Sequence, residues 1–236
     1  MKKKILAIIG IRSGSKELKN KNIKKLDGIH LVGWIIKKAK KSKLINRIIV
    51  STDKKKYAKI SKYYGAETPF LRPKKFAKDH SRELDFIKHT LKWLKKNENY
   101  APDIVVRLLA TCPFQKASDI DKLINIILKK KYTSAVIISK ARQHPKKALK
   151  IVGSKFKRLV SYIGNKGTDV GSNSNRQDYI TAYFRSNVIA CKIGVIKKYN
   201  SLTGKNVGYL IISDKKSIDI DNKLDFEYAK FLLKKY

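Results

Sequence analysis

The sequence predicts an α/β fold in which a mostly parallel sheet is covered by helices on both faces. Short apolar runs of strand length alternate with segments whose apolar residues recur at helical spacing. Parallel strands are joined by helical crossovers and are buried on both faces, so this alternation favours a parallel sheet. The 236 residues are enough for a substantial core, and we interpret 1–236 as a single domain.

Each element of the first half follows from a local pattern. Residues 5–9 form an apolar strand, and residues 31–39 have the apolar spacing of a helix. Gly65 stands where a helix C-terminus favours glycine, which sets the end of the second helix. In chain order we predict strand 5–9, helix 31–39, strand 48–51, helix 54–64, helix 84–94, strand 104–109, helix 119–128 and strand 135–139.

The alternation of strands and helices falters after residue 140. The stretch to residue 186 is rich in Gly, Ser, Asn and Lys, with weak strand character near 148–152. We therefore interpret 140–186 as an insertion within the domain. The core pattern resumes with strands 188–191 and 209–212 and a closing helix 223–233.

Composition limits the classes of function. The formal charge is +38, but only nine of the 56 basic residues are Arg, and the lysines are dispersed along the chain. Arginine is the usual residue for phosphate forks and base edges, so no specific nucleic-acid partner is expected. No apolar run approaches the ~20 residues that span a bilayer, and the apolar segment near the start is too short for a secretion signal, so we expect a cytoplasmic protein without membrane contact. Cys112 and Cys191 are expected to be reduced structural thiols.

A loop of small and basic residues follows the first strand. Cations spaced along such a loop, together with exposed backbone N–H groups, are suited to a polyphosphate. The spacing matches neither the Walker pattern nor Gly-x-Gly-x-x-Gly. We interpret this loop as a nucleotide-binding loop whose candidate residues are Arg12, Ser13, Gly14, Ser15, Lys16, Lys21 and Asn22.

Two carboxylates near the end of the chain are candidate metal ligands. Asp219 and Asp221 are two residues apart, so in an extended segment they point to the same side and can share a hard cation such as Mg²⁺. Acidic residues are scarce in this chain, which favours a metal site. The alternative is that the two aspartates cap the last helix.

Several segments resemble the acylneuraminate cytidylyltransferases, which activate nonulosonic acids such as sialic acid as CMP-sugars. The similar segments are the loop 12–23 and residues 49–53, 64–67, 69–73, 107–115, 176–178, 182–185 and 217–226, and they occur in the same order as in that family. The resemblance implies a Rossmann-like fold of the nucleotide-diphospho-sugar transferase type, with its cleft at the carboxyl ends of the strands. It also implies CTP and a sugar acid as substrates, Mg²⁺ as cofactor, and a homodimer in which the insertion contributes to the interface and to the sugar pocket.

The resemblance assigns roles to individual positions. Arg12, Lys16 and Lys21 would offset charge on the leaving pyrophosphate, and Asp219 and Asp221 would hold the metal. The residues assigned to the nucleotide are Arg12, Ser13, Gly14, Ser15, Lys16, Asn22, Arg72 and Ser81. Those assigned to the sugar are Leu109, Thr111, Arg176, Gln177, Tyr183 and Arg185, with Arg176 or Arg185 pairing with its carboxylate. Without the resemblance, Arg72 is equally well explained as a loop cation between prolines.

The central segment departs from the family pattern. Leu109, Cys112 and Gln115 stand where the family commonly has Gln, Ser and Arg, and Glu17 adds a negative charge near the expected phosphate path. Lost polar groups are expected to change or weaken sugar recognition. Two alternatives therefore stay open: a cytidylyltransferase for a different sugar acid or a polyol, and a degenerate, noncatalytic relative that binds polyanions.

Overall fold

A computed structural model describes residues 3–129, 132–154, 157–162 and 179–235, with backbone only at 158–160. The strands in these residues are β1 Ile5–Ile11, β2 Lys25–Leu26, β3 Ile29–His30, β4 Arg47–Thr52, β5 Ile104–Leu108, β6 Ser134–Lys140, β7 Leu149–Val152, β8 Arg158–Ser161, β9 Tyr183–Lys192 and β10 Val207–Ile211. The helices are α1 Leu31–Lys41, α2 Lys55–Tyr63, α3 Glu83–Glu98, α4 Ala117–Lys129, α5 Ile193–Tyr199 and α6 Lys223–Lys234.

Six strands form the central sheet in the order β10-β6-β9-β5-β1-β4. β1 pairs in parallel with both β4 and β5, and β10 pairs in parallel with β6. β9 runs antiparallel to both of its neighbours. The predicted mostly parallel α/β sheet is confirmed. The one antiparallel strand among the six is β9, which lies inside the sheet between β6 and β5.

Strand β1 is buried on both faces of the sheet and divides the core in two. Ile5, Ala7 and Ile9 pack on one side against helices α1, α2 and α4, while Leu6 and Ile8 pack on the other side against α3 and α5. Alternate side chains of a strand point to opposite faces, so a continuous apolar run serves both layers. The prediction of helices on both faces is confirmed.

The last helix, α6, packs in a third apolar cluster. Phe226 of α6 is buried with Leu26 and Leu31, and the extended segment before the helix adds Ile218 and Ile220. Because Ile218 and Ile220 point into this cluster, Asp219 between them lies on the opposite side of the extended segment. This packing fixes the position of the extended segment 218–221, which we call the acidic segment, beside the sheet.

The insertion carries the two-stranded hairpin of β7 and β8, and residues 163–178 lie outside the described residues. The central sheet resumes at Tyr183, which pairs with Lys140, so the sheet is entered before the predicted boundary at residue 186. Helix α5 was not predicted, because its seven residues are too short to show a helical period. Nowhere in the described residues is a helix both long and apolar enough for a bilayer crossing.

Candidate nucleotide cleft

A cleft of about 690 Å³ opens at the carboxyl ends of β1, β4 and β5. These three strands are neighbours and parallel, so their last residues meet at one edge of the sheet. The cleft is lined by the loop after β1, the loop between β4 and α3, the residues after β5 and the acidic segment before α6. The predicted site residues that line it are Arg12, Ser15, Lys16, Lys21, Asn22, Arg72, Ser81, Leu109, Thr111, Asp219 and Asp221.

The loop after β1 is anchored at both of its ends. Asp53, which follows β4, accepts hydrogen bonds from the Ser13 backbone nitrogen at 2.9 Å and from the Ser13 hydroxyl at 2.6 Å. The amide of Asn22, a buried side chain, donates to the Arg12 carbonyl at 3.0 Å. The backbone N–H groups of residues 14–17 donate to no other described residue, so they are free to bind an anion.

Arg72 is a buried cation in the wall of the cleft. Its Nε donates to the Ser51 hydroxyl at 3.0 Å, its Nη2 donates to the Ser51 carbonyl, and its guanidinium lies 4.4 Å from the centroid of the Phe86 ring. Burial lowers the pKa of Arg72 to about 10, so it stays charged at neutral pH. Arg72 lies in the loop between Pro69 and Pro73, as its alternative interpretation holds, but it is buried, and its contact with the nucleotide stays a prediction.

Ser81 shapes the loop that it belongs to. Its hydroxyl accepts a hydrogen bond from the Lys78 backbone nitrogen and donates to the Lys75 carbonyl, both at 3.0 Å. The side chain lies at the cleft wall and its hydroxyl closes this turn. A nucleotide contact by Ser81 stays a prediction.

Charge in the cleft is balanced, in contrast to the +38 of the whole chain. Asp79 bridges two cations of the loop: it pairs with Arg12, and its Oδ2 lies 2.6 Å from Lys16 Nζ. Lys16 and Arg12 together lower the pKa of Asp79 to about 2. The described cations in the lining are Arg12, Lys16, Lys21, Arg72 and Lys78, and the carboxylates are Glu17, Asp79, Glu83, Asp219 and Asp221.

Asp219 and Asp221 face the cleft from the acidic segment. Asp221 Oδ1 lies 2.8 Å from Lys21 Nζ, and Asp219 Oδ1 lies 3.6 Å from Cys112 Sγ. Burial raises the pKa of Asp219, and the neighbouring Asp221 carboxylate raises it further, while a hydrogen bond from Thr111 opposes this. Lys21 also lowers this pKa, but no cation of the described residues forms an ion pair with Asp219, which fits a carboxylate that receives a metal ion.

The alternative that these aspartates cap the last helix is wrong. Asn222 is the N-cap of α6, and its side chain accepts a hydrogen bond from the Asp225 nitrogen at 3.0 Å. Asp225 accepts in return from the backbone nitrogens of Asn222 and Asp221. Asp225 is therefore used in the capping box.

The altered central segment divides between the cleft and the core. Leu109 and Thr111 line the cleft, while Cys112 and Gln115 are buried. Burial raises the pKa of the Cys112 thiol well above its usual range. Gln115 Nε2 donates to the Lys216 carbonyl at 3.1 Å. Cys112 and Gln115 are not accessible, so of the three altered positions only Leu109 faces the cleft.

Comparison with known proteins agrees with this geometry. A family model described as cytidylyltransferase matches residues 6–174, which is most of the chain and includes the loop after β1, Arg72 and the central segment. The chain belongs to the cytidylyltransferase family. It is a nucleotidyltransferase enzyme, and the predicted family is confirmed.

Relatives match this cytidylyltransferase over nearly its whole length. It is 28% identical over 235 residues to the post-translational flagellin modification protein B of Campylobacter coli. That alignment covers 98% of this chain and 95% of the relative. It is 28% identical to the CMP-N,N'-diacetyllegionaminic acid synthase of Campylobacter jejuni, over 97% of this chain and 94% of the relative. A solved CMP:2-keto-3-deoxy-manno-octonic acid synthetase complexed with CTP has the same fold, with a TM-score of 0.72, 14% identity and coverage of 98% and 99% of the two chains.

The residues predicted to bind the sugar are only partly within the described structure. Arg176 and Gln177 lie outside the described residues. Tyr183 and Arg185 are exposed on β9, next to Phe184, which lines a second cavity of about 370 Å³. Asp219 belongs to the walls of both this cavity and the cleft of the cytidylyltransferase. Sugar contacts by Tyr183 and Arg185 stay predictions.

Several lining residues of the cytidylyltransferase cleft were missed from the sequence. Asp79 pairs with two loop cations, Phe86 packs under Arg72, and Gly10 leaves the space that the Phe86 ring fills. Gly10 carried a signal, since a glycine inside a strand indicates a close approach by another group. Asp79 and Phe86 carried none, because their roles depend on contacts between distant parts of the chain.

Proposed function

We propose that this enzyme transfers the cytidylyl group of CTP to the anomeric hydroxyl of a nonulosonic, sialic-acid-like sugar, forming a CMP-sugar and pyrophosphate. The observation that carries the proposal is the convergence of the cationic loop after β1 and the carboxylates Asp219 and Asp221 on one cleft. The full-length relative from Campylobacter jejuni, a CMP-N,N'-diacetyllegionaminic acid synthase, supports the choice of sugar class.

The loop after β1 would bind the triphosphate. Its free backbone N–H groups and the side chains of Arg12, Lys16 and Lys21 supply donors and positive charge where the leaving pyrophosphate gains negative charge. Arg72 and Ser81 line the part of the cleft away from the acidic segment and are assigned to the nucleoside. Asn22 holds the loop through the Arg12 carbonyl and so acts as a positioning residue.

The carboxylates fit a hard cation of the Mg²⁺ type. Mg²⁺ commonly binds through one or two carboxylates together with substrate phosphates and waters, and Asp219 and Asp221 provide two carboxylates with one of them short of positive charge. When bound there, the ion would neutralise the triphosphate and polarise the α-phosphate. Lys21 contacts Asp221 at 2.8 Å and orients that carboxylate.

The acceptor is assigned to the second cavity, on the other side of Asp219. Lys140 and Arg142 line this cavity and supply positive charge for the sugar carboxylate. The anomeric oxygen forms a bond to the α-phosphorus, the bond from the α-phosphorus to the bridging oxygen breaks, pyrophosphate takes the electron pair, and the hydroxyl proton passes to solvent. No covalent enzyme intermediate is required. A different sugar acid or a polyol stays the alternative acceptor, because Leu109 removes a polar group from the cleft wall.

We also propose a homodimer in the cytoplasm. Ile151 and Tyr162 of the insertion hairpin region are exposed by 68% and 65%, and Ile180 is exposed by 93%. Exposed apolar residues on one insertion support a contact with a second copy of the chain.

The test is Mg²⁺-dependent release of pyrophosphate from CTP with a panel of nonulosonic acids. We expect release with one sugar, and a loss of about a hundredfold or more in rate for Asp219→Asn, because the variant lacks a metal ligand. Asp214→Asn is the matched control: it removes one negative charge from the same segment at an exposed position and should keep full activity. Folded protein that releases no pyrophosphate with any sugar would overturn the proposal and favour the noncatalytic alternative.

A further inference from the structure

A groove lies on the outer side of helix α3, separate from both the cleft and the second cavity beside Phe184. It has a volume of about 620 Å³, within the range of small-molecule sites. Phe76 belongs to the walls of both the groove and the cleft, so it separates the two. The groove is lined by Pro73, Lys75, Phe76, Asp85, Lys88, His89, Lys92, Trp93, Lys96 and Asn97.

The floor of the groove is aromatic. The rings of His89 and Phe76 lie 5.6 Å apart, and Phe70 contacts both His89 at 4.8 Å and Trp93 at 5.4 Å between ring centroids. Phe76, His89 and Trp93 are half-buried, so each keeps an accessible part. Such a cluster is suited to stacking on a flat ring.

The floor also contains a polar atom without a partner. His89 Nδ1 is buried and has no hydrogen-bond partner among the described residues. Buried polar atoms are almost always satisfied, and one that is not indicates a missing group. This atom is enclosed, so a ligand in the groove meets the accessible part of the half-buried His89 ring.

The rim of the groove is cationic. Lys88, Lys92 and Lys96 follow one another at four-residue spacing on α3, which places them in a row along one face over about 12 Å. Lys75 faces them from the other wall. In the described part of the chain, none of these four lysines has a carboxylate within ion-pair distance, and the one carboxylate of the lining, Asp85, is paired with Arg82.

From these features we propose that the groove is a second ligand site, which binds a nucleoside phosphate outside the cleft. The base stacks on Trp93 and Phe76 and contacts His89, and the phosphate binds to the lysine row. The combination decides the ligand class: an aromatic floor alone would suit any flat apolar molecule, and a lysine row alone would attract any anion. This proposal does not depend on the reaction assigned to the cleft.

The test uses Trp93 as a reporter within the groove. The chain has two tryptophans, so Trp34→Phe leaves Trp93 as the only one. CMP and AMP are titrated separately while Trp93 fluorescence is followed, with cytidine and inorganic phosphate as the two half-ligands. We expect saturable quenching by CMP or AMP, and binding weaker by about tenfold or more for either half-ligand.

A matched pair of variants separates the groove from general attraction to a cationic protein. Lys92→Glu reverses a charge in the lysine row, while Lys95→Glu reverses one on the same helix at a lysine that does not line the groove and donates to Asn99. We expect Lys92→Glu to weaken binding about tenfold and Lys95→Glu to change it by less than about twofold. Arg12→Ala, in the cleft, should leave the Trp93 signal unchanged. Absence of saturable quenching, equal loss in the two lysine variants, or loss of the signal in Arg12→Ala would overturn the proposal.

Discussion

Gly10 is the residue at which the absence of a side chain shapes the cleft. A Cβ at this position would lie 2.3 Å from Cζ of Phe86, far inside van der Waals contact. The Phe86 ring in turn lies under the guanidinium of Arg72, so the glycine, the ring and the cation form one stack. The position of a cation in the cleft wall therefore depends on a glycine in β1.

Asp79 occupies the cations that we assign to the triphosphate. Because its carboxylate binds Arg12 and Lys16, it competes with the phosphates for the same groups. We expect Asp79→Asn to lower the KM for CTP by about threefold, an effect of the size of an exposed ion pair. Steady-state kinetics with CTP as the varied substrate measures the effect.

The control for Asp79 is another exposed carboxylate that pairs with lysine. Asp103 accepts from the Lys4 backbone nitrogen and pairs with Lys3, away from the cleft. Asp103→Asn should leave the KM unchanged. A rise in KM for Asp79→Asn would contradict the competition and would mean that Asp79 holds Arg12 and Lys16 in place for the substrate.

Cys191 gives the chain a pH-dependent contribution to stability. Burial raises the pKa of its thiol to about 12 from an ordinary value near 9. A raised pKa in the folded state stabilises below the unfolded pKa, and this stabilisation is lost as the pH rises from about 9 toward 12. We expect the free energy of unfolding of the wild type to fall between pH 8.5 and pH 10.5 by about 1 to 2 kcal/mol more than that of Cys191→Ala.

Urea unfolding at the two pH values measures this difference. The lysines titrate in both proteins, so their contribution to the pH dependence cancels when the wild type is compared with Cys191→Ala. Equal pH dependence in the two proteins would mean that the thiol ionises in the folded state without cost. As a second readout, iodoacetamide at pH 8 should label neither Cys112 nor Cys191 until the protein is unfolded, because both are buried free thiols.

At the scale of elements, the sequence predicted the buried strands and the amphipathic helices well, because each carries its own pattern. β1, β4, β5 and β6 and helices α1 to α4 lie within a few residues of the predicted bounds. The reversal of β9 could not be predicted, since an apolar strand does not encode the direction of its neighbours. The early start of β9 was also missed, because Tyr183, Phe184 and Arg185 are exposed and lack strand alternation.

The capping box of α6 links an element to the acidic segment. Asn222 caps the helix, and Asp225 accepts hydrogen bonds from the backbone nitrogens of Asn222 and Asp221. The cap therefore also fixes the backbone of Asp221, whose side chain pairs with Lys21. We expect Asn222→Ala to lower the free energy of unfolding by about 1 kcal/mol. Chemical denaturation measures it, with Asn222→Asp as the control that keeps the cap and the stability. No loss of stability in Asn222→Ala would contradict the capping role.

At the scale of the molecule, charge distribution separates the surface from the cleft. The chain carries 18 acidic residues against 56 basic ones, and five of the acidic residues line the cleft. The surface charge attracts anions in general, while the carboxylates in the cleft would repel a polyanion bound there. This distribution favours a site for a metal and a nucleotide over the alternative of a noncatalytic polyanion-binding protein.

Much of the candidate site could be predicted because its residues are close in sequence. The loop after β1 and the pair Asp219 and Asp221 are local patterns, and both face the cleft. The salt bridge between Lys21 and Asp221, the stack of Arg72 on Phe86, and the burial of Cys112 depend on how distant segments meet. No local pattern specifies such contacts, so they required the fold.

The most direct test of the central claim is a crystal structure of the protein with CTP and Mn²⁺, whose anomalous scattering locates the ion. We expect an anomalous peak at coordination distance, about 2.2 Å, from the carboxylates of Asp219 and Asp221, with the triphosphate on the loop after β1. A nucleotide bound elsewhere, or a metal ion that contacts neither aspartate, would show that this cleft is not the site of the reaction.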